Sequence, residues 1–88
     1  MPRYIIERNV GSMTREQLNA AGRASNMALA GMAEVTWVKS YVSDAEGKIY
    51  CEYIAPNPEA VLEHARRSGI PADRISEVSL EISPEMFV

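Results

Sequence analysis

Two helix starts are written into this chain, and strand-like runs stand on both sides of each, which leaves it few ways to fold. Thr14 followed by Gln17 is a capping box, and Met13 ahead of the cap can pack on Leu18 as a hydrophobic staple, so a helix is expected from about residue 15. Leu18, Ala21, Ser25, Ala28, Leu29 and Met32 then share one face, and Gly31 stands where the helix would end. The second start is Asn57-Pro58-Glu59: an Asn cap, a proline where the missing N–H costs nothing, and a carboxylate at the positive end of the dipole. Gly69 stops that helix, and Pro71 cannot continue it.

Between these helices the period changes to that of strands. Residues Arg3 to Arg8 carry the β-formers Tyr4, Ile5 and Ile6, while Val35 to Val42 and Lys48 to Ala55 are joined through the turn-rich loop Asp44-Ala45-Glu46-Gly47. Arg74 to Ile82 alternates Ser76, Val78, Leu80 and Ile82 against Ile75, Glu77, Ser79 and Glu81, the pattern of a half-buried strand. The order β-α-β-β-α-β predicts an α+β ferredoxin-like sandwich, a single domain over 1–88. Its four-stranded antiparallel sheet has spatial order 4-1-3-2, with both helices on one face.

That architecture leaves one sheet face without helices, yet apolar residues occupy both faces of the expected strands. Val35, Trp37 and Tyr41 oppose Val38 and Val42, and Ile5 opposes Ile6. A homodimer packed through the open sheet face is expected, an assembly of the dimeric α/β-barrel type, with Met86-Phe87-Val88 as a second adhesive element. An 88-residue chain gains from such association, because a domain of this size buries only about 60 to 65% of its unfolded surface.

Composition removes several function classes. Nine basic residues dispersed among twelve acidic ones, for a formal charge of −3, form no basic stripe, so nucleic acid is not an expected partner. No apolar run approaches the roughly 20 residues of a bilayer span, and Met1-Pro2-Arg3-Tyr4 leads directly into strand-like sequence without a signal peptide's apolar region. A lone cysteine forms no internal disulfide and suits a reducing compartment, so the expected location is cytoplasmic. The five glycines are dispersed, and no phosphate-binding loop is present.

Chemistry concentrates on the one cysteine and the one histidine. Cys51 is expected on a central strand, sharing a face with Ile49, Tyr53 and Ala55, and His64 on the flank of the second helix beside Ala60 and Ser68, between an apolar stripe of Val61, Leu62 and Ala65 and a charged side. The helix packs over the strand, so the two groups can lie across one cavity. The small residues Ala21, Gly22, Ser25 and Ala28 on the inner face of the first helix signal close packing or a pocket, with close packing the commoner outcome. Asn26 can offer an amide oxygen from that helix, and Glu7 a carboxylate from the strand beside Cys51, although Tyr4, Ile6 and Arg8 compete with Ile5 and Glu7 for the interior. Thiolate, imidazole, carboxylate and amide oxygen together suit a borderline divalent ion such as nickel, zinc, cobalt or copper. The bland alternative places Cys51 in the core as a small hydrophobe and His64 at the boundary. A Cys-His nucleophile pair lacks an evident oxyanion hole, and Tyr41, Tyr53 and Trp37 can line a pocket or simply pack across strands. No catalytic residue is assigned.

Four segments carry a resemblance. Ser40-Tyr41-Val42, Cys51-Glu52-Tyr53-Ile54-Ala55-Pro56, Glu63-His64-Ala65 and the run from Gly69 through Val78 resemble a family of small, largely uncharacterised bacterial ferredoxin-like proteins, one of which is a nickel-binding protein. The resemblance implies a dimeric ferredoxin-like fold and a nickel ligand set drawn from Cys51 and His64, then Glu7 and Asn26, with Tyr41 and Tyr53 as neighbours of the site. The leading expectation is a cytoplasmic homodimer that binds a transition metal, Ni2+ ahead of Zn2+, Co2+ or copper, in sequestration or trafficking. The alternatives are a small α/β-barrel-type enzyme, similar to monooxygenases or isomerases of that fold, with an organic molecule in the pocket, and an interaction domain without metal.

Overall fold

The computed structural model describes all 88 residues. Strand β1 spans Arg3–Asn9, helix α1 Arg15–Ala30, β2 Thr36–Ser43, β3 Lys48–Ile54, α2 Pro58–Ser68 and β4 Arg74–Glu77, and a 3-10 turn covers Pro84–Phe87. The sheet is antiparallel throughout with order β2-β3-β1-β4, the ferredoxin-like arrangement expected. No helix is long and apolar enough to cross a membrane.

The helix starts form as the sequence dictates. Gln17 N–H donates to Thr14 Oγ1 at 3.1 Å while Thr14 N–H donates to the Gln17 side chain at 2.9 Å, the reciprocal bonds of a capping box. Asn57 Oδ1 accepts from Ala60 N–H at 2.9 Å, and Gly69 closes α2 in the left-handed region at φ 74°.

Strand alternation settles which residues reach the helices. On β1 the inward set is Tyr4, Ile6 and Arg8, all buried, so Ile5 and Glu7 turn to the open face. On β3 it is Ile49, Cys51 and Tyr53. These join Met32, Val35, Ala55 and Val61 in one core between sheet and helices.

Three expectations about the elements change. A register shift between Trp37 and Lys39 inserts Val38 as an extra residue, so Trp37, Ser40 and Val42 pair with Tyr53, Cys51 and Ile49 on the helix side, while Tyr41 pairs with Tyr50 on the open face. The shift brings Lys39 and Tyr41 to the open face, which is also made polar by the β1–β3 ion pairs of Arg3 with Glu52 and Lys48 with Glu7. Strand β4 ends at Glu77, since β1 begins at Arg3 and offers no further partner, and Leu80 and Ile82 beyond it are exposed. On α2 the buried residues are Val61 and His64, and Leu62 points to solvent. The helix is rotated so that its His64 flank meets the sheet together with Val61, and the Leu62 edge of the expected stripe turns outward.

Candidate functional site

Arg8 is the residue that organises the interior. Placed inward by the alternation that buries Tyr4 and Ile6, its side chain is 1% exposed. Its Nε–H donates to Cys51 Sγ at 3.3 Å, Nη1 donates to the carbonyls of Ile70 and Pro71 at 3.2 and 3.0 Å, and Nη2 donates to the Tyr53 phenol oxygen at 3.4 Å. The guanidinium carbon also lies 5.7 Å from the Tyr53 ring centroid. Holding the two carbonyls ties the loop after α2 to the sheet. Asp73 helps, accepting from Asn9 N–H through its side chain and donating its own N–H to the Glu7 carbonyl.

The polar row continues across the helices. Ser25 Oγ stands 3.5 Å from the Tyr53 phenol and 3.1 Å from His64 Nε2, and the His64 ring stacks at a tilt on Tyr53 with centroids 5.0 Å apart. His64 is fully buried, and its Nδ1 has no hydrogen-bond partner. Desolvation, followed by the nearby Arg8 charge, lowers the imidazole pKa below its ordinary value, so the ring is neutral around pH 7. Burial raises the Tyr53 phenol in turn.

Beside this row lies an open cavity of about 310 Å³. Arg8, Cys51 and Tyr53 form its polar end, and Leu18, Trp37 and Ile49 are among its apolar wall. The small residues of α1 make the space. Ala21, Gly22 and Ser25 all face the cavity, and a Cβ added at Gly22 would meet nothing within 4 Å. Of the two readings of that small face, the pocket is the one that forms; close packing was the commoner expectation.

The four expected ligands are not brought together. Cys51 occupies its central strand as expected, but His64 is a core residue instead of a rim residue and does not line the cavity. Arg8, Tyr53 and Ser25 stand in the hydrogen-bonded row between the two. Glu7 faces the opposite side of the sheet, where Lys48 Nζ donates to it at 3.2 Å. Asn26 is exposed on α1, because the inward positions of that turn go to Ser25 and Ala28. Of the two tyrosines, Tyr53 lines the cavity and Tyr41 does not: the β2 register shift turns it to the open face, where Lys39 lies 5.6 Å over its ring. No group of three or more His, Cys, Asp or Glu side chains stands together in the fold. Cys51 and His64 are donors of the right softness for a nickel-class ion, yet a guanidinium already occupies the sulfur and no carboxylate shares the row, so such an ion does not fit there. Arg8 enters the sequence reading only as a competitor for the interior, with no part in the site. Its signal was its place two residues beyond Ile6 on the same strand face.

A family model described as "Nickel responsive protein SCO4226-like" matches residues 4–78. The crystal structure of SCO4226 from Streptomyces coelicolor A3(2) is similar to this fold with a TM-score of 0.79 and 31% sequence identity, covering 91% of this chain and 99% of that one. No curated protein matches.

Proposed function

The chain belongs to the SCO4226-like family of nickel responsive proteins, and from that premise we propose that it is a small transition-metal-binding protein, with nickel its ion and sequestration or trafficking in the cytoplasm its role. The observation that carries this reading is the family match over residues 4–78. The donors belong outside the buried row, since Arg8 holds the Cys51 sulfur and the one histidine is enclosed in the core. Two copies joined through the helix-free sheet face complete the proposal. That face mixes ion pairs with the partly exposed Ile5 and Tyr41, a composition suited to an interface between identical small domains.

Calorimetric titration with nickel tests the reading. Wild type is expected to bind with a dissociation constant below about 100 µM, and Cys51→Ser to bind within about threefold of wild type. Wild type that does not bind in that range overturns nickel binding. A folded Cys51→Ser chain that has lost the ion returns the site to the buried row.

A further inference from the structure

The Arg8 guanidinium is buried without an anion. Its bonds run to a sulfur, two backbone carbonyls and a phenol oxygen, and no carboxylate lies within ion-pair distance of it. A buried charge is normally paired, because neutral hydrogen-bond acceptors offset the loss of its hydration only in part. Four of its five N–H groups are accounted for, leaving one on Nη2. The side chain lines the cavity, Arg15 at the start of α1 lines it too, and Arg15 is likewise in no ion pair. Buried Arg8 and solvent-exposed Arg15 therefore both border one space whose lining holds no acidic side chain. The Ser25, Ser40 and Tyr53 hydroxyls add neutral hydrogen-bonding groups to the wall.

The rest of the wall has a different chemistry. Leu18 and Gly22 of α1 and Trp37, Val42 and Ile49 of the sheet line the rest, so a bound molecule meets mainly apolar surface away from the arginines and these hydroxyls. At about 310 Å³ the space is at the small end of ligand pockets. We infer that this cavity is a binding site for a small organic monoanion, a carboxylic acid with an aromatic or branched aliphatic body, whose carboxylate pairs with Arg8 and Arg15 and whose body lies between α1 and the sheet. Arg8 has one Nη2 N–H left to give and Arg15 brings a second guanidinium, so a carboxylate suits the pair as an acceptor of charge-assisted hydrogen bonds from both. The inference is independent of nickel binding, for it uses the interior that the metal reading leaves empty of donors.

Trp37 is the chain's one tryptophan and part of the cavity wall, so its fluorescence reports occupancy directly. The probes are phenylacetate, 3-methylbutanoate and 4-methylpentanoate, with phenylacetamide as a body without charge and acetate as a charge without body. At least one of the three acids is expected to shift the emission with a midpoint below about 1 mM, and phenylacetamide and acetate to bind at least about tenfold more weakly than that acid. In Arg8→Gln the acid's affinity falls about tenfold or more. Should that variant fail to fold, Gly22→Leu, whose side chain enters open space beside α1, lowers the affinity by a similar factor with both arginines in place. Three acids that leave the emission unchanged overturn the site, amide binding equal to acid binding overturns the role of charge, and unchanged affinity in Gly22→Leu overturns the location.

Discussion

His64 makes the stability of this fold sensitive to pH just below neutrality. A neutral imidazole has one N–H to give: either Nε2–H donates to Ser25 Oγ, or Ser25 donates to a bare Nε2 and the unpartnered Nδ1 carries the proton. Neither tautomer leaves a favourable place for a second proton, and burial together with the Arg8 charge lowers the pKa in the folded state from the ordinary 6.5. The folded state therefore binds fewer protons than the unfolded state once the pH drops below about 6.5, where the unfolded imidazole begins to charge. Stability from this residue is fully present above that pH and is lost as the pH falls through it. The melting temperature of wild type is expected to decline more steeply between pH 7 and pH 5 than that of His64→Gln, and parallel slopes in thermal denaturation would remove His64 as the cause. The residue's placement was only partly legible in sequence. Its helix and spacing were evident, but rotating α2 by a fraction of a turn exchanges flank for stripe, and what fixes the rotation is the packing of Val61 against a sheet that the helix sequence does not contain.

Elements show the same division between local and non-local causes. Both caps and both helix stops follow from signals within a few residues of each boundary, and the strand order from the element sequence, whereas the β2 register shift and the short β4 depend on what the neighbouring strand can offer. Two glycines test how far local arguments reach, with opposite signs. Gly22 lies inside α1 with nothing within 4 Å of an added Cβ, so Gly22→Ala gains helix propensity without a clash and is expected to stabilise by about 0.5–1 kcal/mol. Gly47 has φ +65°, and its added Cβ would lie 2.9 Å from the Gly11 Cα, where the Gly47 carbonyl accepts from the N–H groups of Val10 and Gly11. Gly47→Ala must strain that backbone and separate the hairpin loop from the end of β1, at a cost of about 1–3 kcal/mol. Chemical denaturation of the three chains measures both. A Gly22→Ala chain less stable than wild type would mean that the cavity is closed to even one methyl group.

At the scale of the whole molecule the helix-free side of the sheet is the unfinished surface. The helices cover Tyr4, Ile6 and Arg8 of β1, and the same strand presents Arg3, Ile5 and Glu7 to the other side without any layer above them. Alternation predicted apolar residues there, and the register shift in β2 put Val42 on the helix side with Trp37 and turned Lys39 and Tyr41 outward, leaving a face more charged than expected. Such a face associates with a copy of itself when its ion pairs stay internal to each sheet and its few apolar residues meet across the two-fold axis. Ile5 is the useful probe, since it lies on β1 near the middle of the sheet, 38% exposed, opposite Glu52 on one neighbouring strand and Ser76 on the other. In Ile5→Lys two ammonium groups face each other in the dimer, while in the monomer the new side chain extends into solvent and can pair with Glu52. Light scattering at micromolar concentration is expected to give twice the chain mass for wild type and the single chain mass for Ile5→Lys, with the cavity and its Trp37 emission intact in both. A wild type that scatters as a monomer removes the dimer, and an Ile5→Lys chain that still dimerises moves the interface off this face to another exposed apolar surface, such as the Leu80, Ile82, Met86 and Phe87 arm.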